Sequence, residues 1–93
     1  MVFLITYDLT TPNDTNSDYD RVIGKIKALF DAWCHVEKSV WLVDSSLNAQ
    51  EIRDEIKNSL YESDILFIAR LHGNWASWAF GTERNDWLRQ QTL

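Results

Sequence analysis

Apolar and polar positions follow two rhythms along this chain. Val2-Phe3-Leu4-Ile5-Thr6-Tyr7 is a β-branched and aromatic run of strand length that closes at Asp8. Its near-continuous apolarity predicts a central strand covered on at least one face. Leu9 to Asp18 is rich in turn residues and holds the only proline, Pro12, so it reads as a loop. Ser17 or Asp18 is placed to cap the helix that follows. Apolar residues then recur at Tyr19, Val22, Ile23, Ile26, Leu29, Phe30 and Trp33, with Asp20, Arg21, Lys25, Lys27 and Asp31 on the opposite side. Spacings of three and four predict an amphipathic helix lying on a sheet.

Cys34 to Val43 reads as strand, with Val36, Lys38, Val40 and Leu42 on one face and His35, Glu37, Ser39, Trp41 and Val43 on the other. The alternation is imperfect, which predicts a bend or bulge near Lys38-Ser39, or two strands in place of one. Asn48 followed by Glu51 resembles a capping box, and Ile52, Ile56 and Leu60 mark a second amphipathic helix. Ser63-Asp64 turns the chain into the apolar strand Ile65 to Leu71. After a turn at His72-Gly73-Asn74, Trp75 to Phe80 alternates like a further strand, and Thr82 to Leu93 reads as a terminal helix or arm. This order predicts an α+β, ferredoxin-like sandwich: two helices on one face of an antiparallel sheet, plus a C-terminal extra strand or arm. The expected core is Phe3, Ile5, Ile23, Ile26, Phe30, Val40, Ile52, Ile56, Leu66 and Ile68.

Ninety-three residues predict one domain over 1–93 with a single small core. Five tryptophans are many for such a chain, which points to an interface as well as a core. Nine Lys and Arg against fourteen Asp and Glu leave a charge of −5, which argues against tight non-specific binding of DNA or an anionic membrane. Cys34 is the sole cysteine, so the expected compartment is the reducing cytoplasm. No apolar run approaches the roughly 20 residues of a membrane helix, and Val2–Ile5 is too short for a signal peptide.

The candidate chemistry is sparse. Asp8 stands at a strand end, where a carboxylate either binds a hard cation through oxygen or accepts backbone hydrogen bonds in the next turn. Asp14, Asp18 and Asp20 lack calcium-loop spacing, and helix-dipole stabilisation accounts for Asp18 and Asp20. His35 and His72 are the only imidazoles and read as edge or turn residues. Cys34 and His35 are strand neighbours pointing to opposite faces, so they form no nucleophile pair. Trp75, Trp78 and Phe80 have no interleaved Lys or Arg to make a base-stacking platform, and they read as core or subunit interface.

Three segments together resemble the small CRISPR-associated endoribonucleases of the adaptation complex. Val2-Phe3-Leu4-Ile5-Thr6-Tyr7-Asp8-Leu9 resembles their opening strand ending in Tyr-Asp. His35-Val36-Glu37-Lys38-Ser39-Val40-Trp41 resembles a second motif that typically reads Arg-x-Gln-x-Ser-Val-Phe, and Asp64 to Leu71 resembles the next apolar strand. VapD-type toxins and SinR-like proteins share the plan. The resemblance implies a ferredoxin-like homodimer paired through its sheets. It also implies that Asp8 faces its twin and, in active members, holds a divalent metal, Mg²⁺, for phosphodiester hydrolysis of RNA or DNA. Ser39 is carried over as a catalytic-site residue beside it. This chain departs from the pattern: the stretch after Asp8 is acidic where the family is basic, and His35 and Glu37 replace the usual Arg and Gln.

Two functions fit these residues. One is a Mg²⁺-dependent endonuclease dimer using Asp8 and Ser39. The other is a non-catalytic acidic module with the same fold that binds another protein through Trp75, Trp78 and Trp87, as a toxin–antitoxin component or an inhibitor of a nucleic-acid-processing complex.

Overall fold

The computed structural model describes residues 1–10 and 16–93, so Pro12 and Asp14 of the expected loop lie outside the described residues. The first strand, β1, spans Val2–Asp8. Its period of two decides the layering. Phe3, Ile5 and Tyr7 sink into one apolar layer, while Val2 and Leu4 join a second layer on the other face.

The first layer is covered by helices. α1 spans Asn16–Leu29 and places Val22 and Ile26 in the core. It begins at Asn16, ahead of Ser17, and Asp18 lies in its first turn. It stops at Leu29, which corrects the expected stripe: Trp33 belongs to the next strand. That strand returns along the same layer, so Trp33 still packs against the helix-covered core. α2 spans Ala49–Ile56, followed by a short 3₁₀ turn over Lys57–Ser59. Its capping box forms as the spacing predicts. The Asn48 side chain accepts from the Glu51 amide at 2.8 Å, and the Glu51 carboxylate accepts from the Asn48 amide at 3.1 Å.

Cys34 to Val43 is two strands. β2 spans Ala32–Glu37 and β3 spans Val40–Asp44, with Lys38-Ser39 as the hairpin turn and a register shift between His35 and Glu37. β4 spans Ile65–Arg70. The strands pair antiparallel in the order β2-β3-β1-β4, with β1 central and β4 at an edge. With both helices on one face, this is the expected ferredoxin-like sandwich.

The second face is covered by the C-terminal arm. Trp75 to Phe80 is no strand, which corrects the alternation-based expectation. Ala79 has φ of 53° and Gly81 φ of 91°, left-handed turns that a pleated strand does not accommodate. The segment lies across the sheet face and seats Trp75 and Phe80 on Val2, Cys34 and Leu42. The terminal helix, α3, spans Thr82–Arg89 and buries Leu88 in the same cluster.

Of the expected core, Phe3, Ile5, Ile26, Phe30, Ile52 and Ile56 are buried, and Ile23, Leu66 and Ile68 pack partly buried at its margin. Val40 is misplaced: it pairs with Thr6, which puts it on the arm side, and Trp41 and Val43 fill the helix-side layer from β3. Ile26→Ala removes a fully buried side chain and should cost about 2 to 5 kcal/mol. Asn48→Ala loses the cap and should cost about 1 kcal/mol. Urea unfolding measures both; an Ile26→Ala loss no larger than that of Asn48→Ala would contradict this packing.

Candidate functional site at the end of the central strand

Register determines which groups meet at the end of β1. Asp8 pairs with Ile65, and Thr6 pairs with both Phe67 and Val40. Residues directly opposite in a sheet share a face. Val2 and Leu4 lie on the arm side, so by parity Thr6, Asp8, Ile65 and Phe67 lie there too. The arm does not reach this end. Ile65 is 60% exposed, Phe67 59%, and Asp8 is exposed beside them.

Among the described residues, no hydrogen bond or ion pair engages the Asp8 carboxylate. The turn-forming role belongs to a different aspartate. Asp64 accepts from the Thr10 amide through Oδ1 and from the Tyr61 amide through Oδ2, each at 2.9 Å. Both its oxygens are committed to closing the loop before β4, which leaves Asp8 as the carboxylate free to act outward.

Ser39 comes to the same end of the sheet. The Tyr7 amide donates to the Ser39 carbonyl at 3.2 Å, tying the hairpin turn to the residue before Asp8. The Lys38 carbonyl is held twice: the Tyr7 hydroxyl donates to it at 3.2 Å, and His35 Nε2 lies 3.3 Å away. Trp41 Nε1 in turn donates to the Tyr7 hydroxyl at 3.1 Å, and the His35 ring stacks on Trp41 with centroids 3.8 Å apart. A buried indole, a phenol and an imidazole thus pin the turn that carries Ser39. The Lys38 ammonium rests 4.0 Å from the Tyr19 ring.

The other candidates separate. Cys34 packs into the arm-side cluster, while His35 lies with Trp41 toward the helices, so no Cys–His pair forms. Burial raises the Cys34 thiol above its ordinary value and the charge of Arg84 partly offsets this, so the nucleophilic thiolate is disfavoured. Burial likewise raises the Tyr7 phenol, and its hydrogen bond from Trp41 offsets part of the rise. His72 is exposed in the segment after β4. Trp75 and Phe80 of the arm are half-buried against the sheet, but Trp78 is 95% exposed. Sequence patterning missed the exposed pair Ile65 and Phe67. Both sit in a run that is apolar throughout, and they stay uncovered because β4 is an edge strand beyond the reach of the arm.

Among the described residues, no three His, Cys, Asp or Glu side chains group closely enough to hold a metal ion. At this end of the sheet Asp8 presents exposed carboxylate oxygens, the donor type that a hard divalent cation would take. Among the described residues, no helix is long and apolar enough to cross a membrane.

No protein-family profile matches this chain, and no curated protein matches it in sequence. Among solved structures, the crystal structure of Streptococcus pyogenes Cas2 at pH 6.5 is similar, with 26% identity, a TM-score of 0.55, and coverage of 100% of this chain and 99% of that one. The chain has a ferredoxin-like fold like that of Cas2.

The buried thiol and phenol set an alkaline limit on stability. Folding favours the neutral form of both groups, so the unfolded chain ionises first. Stability is then full below the ordinary thiol value of 9.0 and falls as pH rises through the raised values in the folded state. Urea midpoints should drop as pH rises above about 9, and Cys34→Ser should lessen the drop. A midpoint unchanged across that range would contradict the burial of these groups.

Proposed function

We propose that this chain is a cytoplasmic homodimer that hydrolyses phosphodiester bonds of RNA or DNA, with a divalent cation, Mg²⁺, shared by the Asp8 carboxylates of two copies. The carrying observation is Asp8 itself: exposed, unengaged among the described residues, and on the sheet face that carries exposed Ile65 and Phe67. A second copy seated on that apolar surface brings two carboxylates together about a two-fold axis. Two bare carboxylates at close range repel, so the pair selects for a cation between them. Such a cation, when bound, polarises a phosphoryl oxygen and lowers the pKa of a water. The chain's own contribution is placement. Tyr7, held by Trp41, aligns the end of β1 with the Lys38-Ser39 turn, and in this reading Ser39 of that turn hydrogen-bonds a phosphate oxygen. The fold shared with Cas2 supports this reading, as do the Tyr7-Asp8 and Ser39-Val40-Trp41 motifs. The likeness to VapD-type and SinR-like proteins rests on order of elements.

Trp78, at 95% exposure on a chain of charge −5, favours a second reading: a non-catalytic acidic module that docks another protein. One comparison separates the two. Wild type should cleave single-stranded RNA or duplex DNA in Mg²⁺ and lose cleavage in EDTA. Asp8→Asn should abolish cleavage while leaving the fold intact, because the amide keeps the size but removes the charge. Equal cleavage by both proteins would remove Asp8 from the mechanism, and no cleavage by wild type in Mg²⁺ or Mn²⁺ would favour the docking module.

A further inference from the structure

A second cluster lies away from Asp8, along the outer edge of β2 where α3 begins. Between them runs a groove of about 550 Å³, within the roughly 300 to 1,000 Å³ of small-molecule sites. Trp33, Phe80 and Trp87 give it aromatic surface, and His35, Glu83 and Arg84 give it polar groups.

Arg84 supplies its chemistry. Its Nε donates to the His35 carbonyl at 3.4 Å and its Nη1 to the Phe80 carbonyl at 3.0 Å. The two carbonyls orient the guanidinium without neutralising it. Among the described residues, Arg21, Lys25, Arg53, Lys57 and Arg89 each pair with a carboxylate, and Arg84 does not. On a chain of charge −5, a fixed and uncompensated guanidinium is an anchor for phosphate oxygens. Indole faces accept a planar ring by stacking. Glu83, the one lining carboxylate, offers an acceptor to a ring amino group and opposes a ligand that is anionic throughout.

We propose that this groove binds one nucleotide unit, its base against Trp33 or Trp87 and its phosphate on Arg84. The inference is independent of Asp8 and holds for a catalytic or a non-catalytic chain. A free mononucleotide and the 5′ end of a strand present the same chemistry, and AMP and a 5′-phosphorylated trinucleotide distinguish them.

The test is titration of the whole protein with each probe, followed by NMR of the five indole N–H signals. AMP should shift the Trp33 and Trp87 signals saturably and leave exposed Trp78 unmoved. Tighter binding of the trinucleotide than of AMP identifies a strand end, and equal binding a free nucleotide. Arg84→Gln should weaken AMP about tenfold or more while leaving adenosine within about twofold, the pattern of a lost charge-assisted contact. Circular dichroism checks that the variant folds; if it does not, a wild-type affinity for AMP that rises at low salt while that for adenosine stays constant decides for the proposal. Absence of saturable shifts at Trp33 and Trp87, shifts spread over all five indoles, or AMP affinity unchanged in folded Arg84→Gln would overturn it.

Discussion

The parity of β1 is the constraint on which this structure depends. The strand is paired on both sides, and its odd residues Phe3, Ile5 and Tyr7 face the helices, where the larger apolar layer of the described residues lies. A slip of one residue would turn all three toward the arm and expose the core. The same parity places Asp8 on the opposite face, with Ile65 and Phe67 as its neighbours across the sheet. Core formation thus determines which way the candidate carboxylate points. The strong apolar demand of three buried side chains, roughly 1.5 to 3 kcal/mol each, outweighs any preference of one exposed aspartate.

A second consequence concerns the two faces. α1 and α2 cover most of one face, whereas the arm covers the other only in part. Leu71, Trp75, Phe80 and Leu88 lie over Val2, Cys34 and Leu42, and the cover ends before Ile65 and Phe67. An edge strand with large apolar side chains exposed on one face is a surface that proteins normally cover. The uncovered area and the unengaged carboxylate occupy the same end of the sheet.

Much of this was legible in the chain. β1, β4 and the capping box of α2 follow directly from local pattern, because period-two runs and the Asn48–Glu51 spacing need no tertiary knowledge. Asp8 was legible as a position, since it closes an apolar run. What it does depended on Asp64, whose capture of the Thr10 and Tyr61 amides relieves Asp8 of turn duty and is a contact across the fold. The hairpin at Lys38-Ser39 carries no glycine or asparagine, so the break between β2 and β3 showed only as imperfect alternation. Trp75 to Phe80 misled because alternating aromatics suit a face-crossing arm as well as a strand. Arg84 gave no signal, because it sits in a polar terminal stretch and gains meaning only by reaching the His35 carbonyl.

The central claim is that two chains share one cation through Asp8. The direct measurement is Mn²⁺ binding by equilibrium dialysis, with light scattering of the same samples. The account predicts a dimer of about twice the chain mass that binds about one Mn²⁺ per two chains, with binding lost in Asp8→Asn while the dimer persists. A monomer, or a dimer whose Mn²⁺ binding is unchanged by Asp8→Asn, would contradict it.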